Sequence, residues 1–183
     1  SSISYRLIIP EDTNFDLDQD RQTYKNNILV INKENVPSAS FAACIGNDNE
    51  LRSTPYIQSD SPLILQQAKS IVKSDTNDLE KVMALAKWVY TNLDKKPVLS
   101  IPDALSTLRS KVGDCNEHAA LFAALSRSLS IPTRVVAGVT YHEGMFYYHA
   151  WNEVCLNGEW ISLDTTKNQL PADLTHIKFV QGE

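Results

Sequence analysis

Apolar residues in the first third of the chain recur at every second position. Ile3, Tyr5, Leu7 and Ile9 alternate with Ser4, Arg6 and Ile8, and a second apolar run over residues 28–31 follows a polar turn. That period lines one face of a strand, so both runs predict β structure, and residues 41–45 read as a third short strand. After residue 54 the period changes. Ser61-Pro62 has the form of an N-cap followed by proline in the first helical turn, and Leu65, Ala68, Ile71 and Val72 keep helical spacing. A second helix is predicted with Leu79, Val82, Met83, Ala86, Val89, Tyr90 and Leu93 on its buried face and Trp88 beside that stripe as core. A short helix follows Ile101-Pro102 and stops near Lys111. A longer one starts at Asp114 and ends near Leu129, before Ile131-Pro132.

Strand patterns then return over residues 134–141, 146–156 and 160–164, joined by two glycine-containing turns. No internal repeat or low-complexity stretch interrupts them. Helices followed by an antiparallel sheet predict an α+β fold. Residues 1–54 form an N-terminal β segment, read as the end of a domain whose start was cut away, and residues 55–183 form the core.

Composition narrows the function classes. The 183 residues suffice for one sizeable core. The net charge of −5 is modest, and no Lys/Arg cluster runs along any segment, which argues against nucleic acid or an anionic membrane as the main partner. No stretch approaches the roughly 20 apolar residues of a membrane-spanning helix. The chain opens directly on a strand pattern, so the lack of a signal peptide says nothing about localisation. Cys44, Cys115 and Cys155 form no CxxC pair. Cys44 and Cys155 are expected as two separate buried thiols, the alternative being a bridge between them that leaves Cys115 free.

Candidate chemistry begins at Gly113-Asp114-Cys115-Asn116-Glu117-His118. Asp114 with Glu117 three residues on fits a capping box, which makes Cys115 the first helical residue. Helix N-termini and imidazolium partners lower a cysteine pKa from about 8.5 to between about 3.5 and 7.5. The unpaired backbone N–H groups there can also receive an oxyanion. Gly113 is expected to leave room for a substrate backbone. Asp114 and Glu117 add opposing negative charge, so the thiol needs a positive partner.

Residues 146–156 supply one. His149, Trp151, Glu153 and Cys155 share a strand face. Asn157-Gly158 is a two-residue hairpin turn signal. It sets Leu156 opposite Glu159, Cys155 opposite Trp160, Glu153 opposite Ser162 and Trp151 opposite Asp164. Asp164 therefore lies on the His149 face, one diagonal step away, within reach of the imidazole.

Three spaced segments, Gly113-Asp114-Cys115, His149-Ala150-Trp151-Asn152-Glu153 and Trp160-Ile161-Ser162-Leu163-Asp164, resemble the signatures of the transglutaminase-like superfamily. The linker Ser130-Ile131-Pro132-Thr133-Arg134 also resembles its passage from helix to sheet. The similarity covers residues 55–183 and points to bacterial, exported members. It implies a papain-like fold and a triad with Cys115 as nucleophile, His149 as base and Asp164 orienting His149. The implied reaction is attack on the carboxamides of a peptide or protein substrate through a thioester, with no cofactor and no metal. None of the larger calcium-regulated architecture of animal transglutaminases is present, which tips the expectation towards hydrolysis. Acyl transfer from Gln to Lys is the alternative, and a non-catalytic binding module is a third reading.

Other residues are weighed beside the triad. His118 sits in the Leu121, Phe122, Leu125 stripe, so a hydrogen-bonded core histidine is expected ahead of a substrate contact. A Cys115–His118 metal pair lacks further ligands at zinc spacing. Trp151 either walls the cleft or packs on the hairpin. Asn116 belongs to the helix start, while Asp173 and His176 follow the Asp164 strand closely enough to border the site. His142 falls in a solvated turn.

Overall fold

A computed structural model describes residues 1–39, 44, 48–99 and 101–182. The third strand expected near residues 41–45 lies outside the described residues, apart from Cys44. Strands β1 (Ser2–Arg6), β2 (Gln22–Lys25) and β3 (Ile28–Asn32) form a small antiparallel sheet of order β1-β3-β2. β2 had no clear sequence pattern. Its hairpin is made by Asn26 and Asn27, both at positive φ, the conformation a two-residue turn requires.

Helix α1 (Pro62–Ile71) starts at Ser61 with proline in its first turn, as expected. Helix α2 (Asp78–Asn92) has an Asn77–Glu80 capping box, but its buried face is rotated from the expected one. Leu79, Val82, Leu85 and Val89 are buried, while Met83 and Tyr90 are exposed. Spacing allowed either face, and packing against the rest of the core selected Leu85. Two-residue strands β4 (Asp94–Lys95) and β5 (Val112–Gly113) pair in parallel around α3 (Ala104–Ser110). Helix α4 (Cys115–Ser128) is buried at every position from 117 to 127, so it is the central helix.

The main sheet has the order β8-β7-β6-β9, from β6 (Thr133–His142), β7 (Met145–Leu156), β8 (Glu159–Leu163) and β9 (Ile177–Gly182). All its pairings are antiparallel. Asn157 and Gly158 take the positive φ values of the expected turn, and Leu156, Cys155 and Glu153 face Glu159, Trp160 and Ser162. The ladder ends at Asn152–Leu163, one pair before Trp151 and Asp164, and Asp164 instead bridges to Gln169. β9 was not foreseen: it contains Lys178 and Gln181, and both are used in hydrogen bonds that sequence periodicity does not show.

One face of β7 and β8, with Val154, Leu156, Ile161 and Leu163, packs on α4 and forms the main core with α1 and α2. Full burial of such a side chain contributes roughly 1.5–3 kcal/mol. The opposite side of the sheet is closed by the N-terminal strands, where Leu17, Leu29 and Ile31 meet Ile177. Asp20 also reaches that side, bonding Arg134 at 2.6 Å; Arg134 and Lys178 in turn hold Glu153. Cys44 and Cys155 are joined by a disulfide, contrary to the expected separate thiols. Strand alternation shows which face Cys155 occupies but not which segment returns to cover it.

Candidate active site

Asp114 caps α4 with the expected box: its side chain accepts from the Asn116 N–H at 3.2 Å, and Glu117 Oε2 accepts from the Asp114 N–H at 2.9 Å. These bonds leave the Cys115 N–H as the donor of the first turn with no partner among the described residues. Burial pushes the Glu117 carboxyl up from its ordinary value. Gly113 lets the chain pass close to the Glu117 side chain that completes this cap. A Cβ on it would lie 2.2 Å from the Glu117 Cβ.

Cys115 is half-buried and is the free thiol of the described residues. Its thiol lies close enough to the His149 ring to favour the protonated form of that ring. The His149 ring uses its other side for Asp164, with Nε2 2.7 Å from Oδ2. Burial opposes a charge on His149, but the bond to Asp164 and the nearby Cys115 outweigh it and hold the pKa above its ordinary value. Burial would likewise raise Asp164; the bonds from His149 and His176 prevail and hold it far below the usual carboxylate range. The structure thus brings Cys115, His149 and Asp164 into one chain of contacts.

Two more of the named residues join that chain. His176, fully buried, places Nε2 2.9 Å from Asp164 Oδ2 and Nδ1 2.9 Å from Asp173 Oδ1. Trp151 walls no open cleft. It is 2% exposed and packs against both imidazoles, stacked at 6.1 Å on His149 and edge-on at 5.0 Å to His176. His118 is the core histidine expected: Nδ1 donates to the Asp114 carbonyl at 2.6 Å, and burial lowers its pKa, which favours the neutral ring. Asn116 Oδ1 accepts a hydrogen bond from the Tyr148 hydroxyl at 2.8 Å. His142 is exposed, as expected.

Two contributors were missed. Thr166 gives Asp164 Oδ1 both its N–H at 2.9 Å and its hydroxyl at 2.6 Å. An Asp-x-Thr turn is a legible signal for this. Tyr148, pushed up chiefly by burial, stands near Cys115 and Asp114. Strand alternation puts it on the face away from His149, so no pattern in the sequence marks it. An apolar recess of about 440 Å³, lined by Ile57, Pro102, Asn116, Ala120, Val135 and Ala137 among others, opens beside the start of α4.

As to a metal, His149, Asp164 and His176 hold potential ligand atoms within 4.8 Å of one another. Each of those atoms is already engaged in the hydrogen bonds just described, the pattern of a proton-bonded cluster. Among the described residues no helix is long and apolar enough to cross a membrane.

No curated protein matches the sequence significantly. Among solved structures, a candidate cysteine protease from Cytophaga hutchinsonii is similar over 100% of this chain and 69% of its own, with TM-score 0.68 and 22% identity. The periplasmic domain of TgpA from Pseudomonas aeruginosa aligns over 67% of this chain and 47% of its own, with TM-score 0.54 and 22% identity. This chain therefore spans about half the length of the latter. These likenesses establish a shared papain-like fold. The profile described as the transglutaminase-like superfamily matches residues 65–165, from α1 through the Asp164 turn. With the helix-borne cysteine and the hairpin-borne histidine both inside that span, the chain belongs to the transglutaminase-like superfamily.

Proposed function

We propose that the protein is a thiol enzyme that cleaves carboxamide bonds of peptides or proteins, with Cys115, His149 and Asp164 as its triad. Residues 55–183 are its catalytic core and residues 1–54 brace it. The observation that supports this most is the continuous contact from a thiol at a helix N-terminus, through His149, to an ionised Asp164. His149 accepts the Cys115 proton, and the thiolate attacks the amide carbon to form a C–S bond. The Cys115 N–H, at the first position of the helix, is the donor assigned to the oxyanion. His149 returns its proton to the leaving nitrogen, the C–N bond breaks, and a thioester remains. Water, deprotonated by His149, then splits the C–S bond and releases a carboxylic acid and the free enzyme. Asp164 keeps the imidazole oriented and stabilises its cation.

Hydrolysis is favoured over transfer because Cys115 is half-buried beside the exposed Tyr148, leaving water a path to the thioester. The Cytophaga neighbour's description as a candidate protease agrees with that choice. The recess beside Asn116 suits an apolar substrate side chain. The Cys44–Cys155 disulfide suits an oxidising compartment, so we place the protein outside the cytoplasm.

Incubation with a mixed library of peptide amides, with and without a lysine analogue, followed by mass analysis, tests the reading. Hydrolysed product is expected, and it should vanish in Cys115→Ala. Amine adducts in place of acid would move the assignment to acyl transfer. No conversion of any peptide, together with slow alkylation of Cys115 at neutral pH, would sink it.

A further inference from the structure

His176 has a carboxylate on each ring nitrogen. A neutral imidazole offers one donor and one acceptor. Here neither partner can donate. Asp173 Oδ1 also accepts the Thr175 N–H at 2.9 Å and its hydroxyl at 2.6 Å, while Oδ2 takes Gln169 Nε2 at 2.9 Å. Asp164 is filled on one oxygen by Thr166 and on the other by His149 and His176. Both carboxylates are accordingly acceptors only, and both His176 nitrogens must carry protons.

We infer that His176 is a standing imidazolium clamped between Asp164 and Asp173, and that it is a positioning residue setting the charge and orientation of Asp164 towards His149. This deepens the proposed function and rests on the triad named there. With His176 charged, the four groups His149, Asp164, His176 and Asp173 sum to zero when His149 is a cation. The cluster is then neutral in the form that pairs with a thiolate. Without His176, two carboxylates would face one imidazole.

The surroundings fit this role. Arg21 and Tyr5 of the N-terminal segment reach the loop, and Lys167 reaches it through Thr140, whose hydroxyl bonds Thr175. Arg21 donates to the carbonyls of Ala172 at 2.6 Å, Asp173 at 2.9 Å and His176 at 3.3 Å, and its own charge is met by Glu34. Tyr5 donates to the Leu174 carbonyl at 3.0 Å. Gly138, paired with His149, allows the chain leaving His176 to approach closely: a Cβ there would sit 1.9 Å from the Ile177 carbonyl oxygen. Burial disfavours charge on His176, yet the bonds to Asp164 and Asp173 hold its pKa above the ordinary value.

Two measurements that need no substrate test this inference. The first is ring-nitrogen NMR of the wild-type chain. Both His176 nitrogens should be protonated at neutral pH and remain so well above an ordinary histidine pKa of about 6.5. Asp173→Asn, whose amide can donate to Nδ1, should let the ring lose that proton at lower pH. The second is the pH profile of Cys115 alkylation in His176→Gln. Removing a buried positive charge should move the profile upward by about one unit, roughly a fivefold lower rate at the wild-type midpoint. A singly protonated His176 in the wild type at neutral pH would overturn the inference. So would a His176→Gln profile that loses amplitude without moving. If His176→Gln does not fold, the wild-type NMR result alone decides. Failure to cleave peptide amides with both measurements as expected would count against the proposed function and leave this inference standing.

Discussion

Asn152, Val154 and Leu156 of β7 face α4, whereas Trp151 and Glu153 of the same strand face the loop and N-terminal segment that close the other side. On the helix side, Asn152 Nδ2 donates to the Ala119 carbonyl at 3.0 Å and to the Arg134 carbonyl at 3.4 Å, amid a dense apolar core. On the other side, the Asp20, Arg134, Glu153 and Lys178 ion pairs and the His149, Asp164, His176 and Asp173 series are buried except at their ends, where Asp20 and Asp173 stay 22% and 42% exposed. Area and packing hold the first face, and many substitutions of similar volume would serve. Directed bonds between charges hold the second, so each group there depends on its neighbours. His149 stands where the two meet, reaching Cys115 on one side and Asp164 on the other.

The largest effect should come from Asp164→Asn. A serine-protease triad loses about 10⁴ in turnover from the equivalent change, which sets the scale for kcat/KM on a peptide amide. A variant of near-normal activity would show that the polar face does not govern the chemistry. Second is Leu156→Ala on the helix face. Its denaturation midpoint should fall by an amount equivalent to about 2–5 kcal/mol, while Cys115 alkylation in the folded protein keeps its rate and pH profile. A shifted profile would mean that the faces are not separable.

Third is reduction of the Cys44–Cys155 bridge, which closes a separation of 111 residues. The chain-entropy account gives a loss of about 4–5 kcal/mol at most, with strain and residual structure lowering it to about 2–4 kcal/mol. Thermal melts with and without reductant measure it. Alkylation of Cys115 should persist in the reduced, folded protein; its loss would tie the bridge to the site.

The smallest effect is the pH dependence of stability. Asp164 and Asp173 are held well below the carboxylate range, Asp173 chiefly by its bond to His176. Their contribution is complete above an unfolded pKa of about 3.9 and is lost progressively as pH falls below it. His149 and His176 are raised, so their contribution is complete below about 6.5 and drains away as pH rises through the folded values. Stability should therefore be greatest between these limits. A monotonic rise of the melting midpoint from pH 6 to about pH 9 would contradict the charged histidines.

Local rules made much of the core legible. The capping box fixed where α4 begins and so placed Cys115, because caps depend on residues within one turn. The Asn157-Gly158 turn fixed the β7–β8 register, because a two-residue loop admits one pairing. Resemblance then supplied the docking of helix on sheet. The buried face of α2 was misjudged because Met83 and Leu85 are both apolar, and only the neighbouring elements decide which is covered.

The sequence by itself determined that Cys115 opens a helix, that His149 and Asp164 lie towards the same end of one hairpin, and the α+β order. Tertiary structure alone decided that Cys44 returns to Cys155, that Arg21 from the first segment grips the loop of residues 172–176, and that Asp173 and Asp164 converge on one histidine. The reason is physical. Caps, turns and alternation act over a few residues, whereas these contacts join groups more than 100 residues apart, for the disulfide and the Arg21 bonds, or on opposite ends of an irregular loop. No periodic pattern encodes such meetings; they follow from how the packed elements bring the chain back on itself.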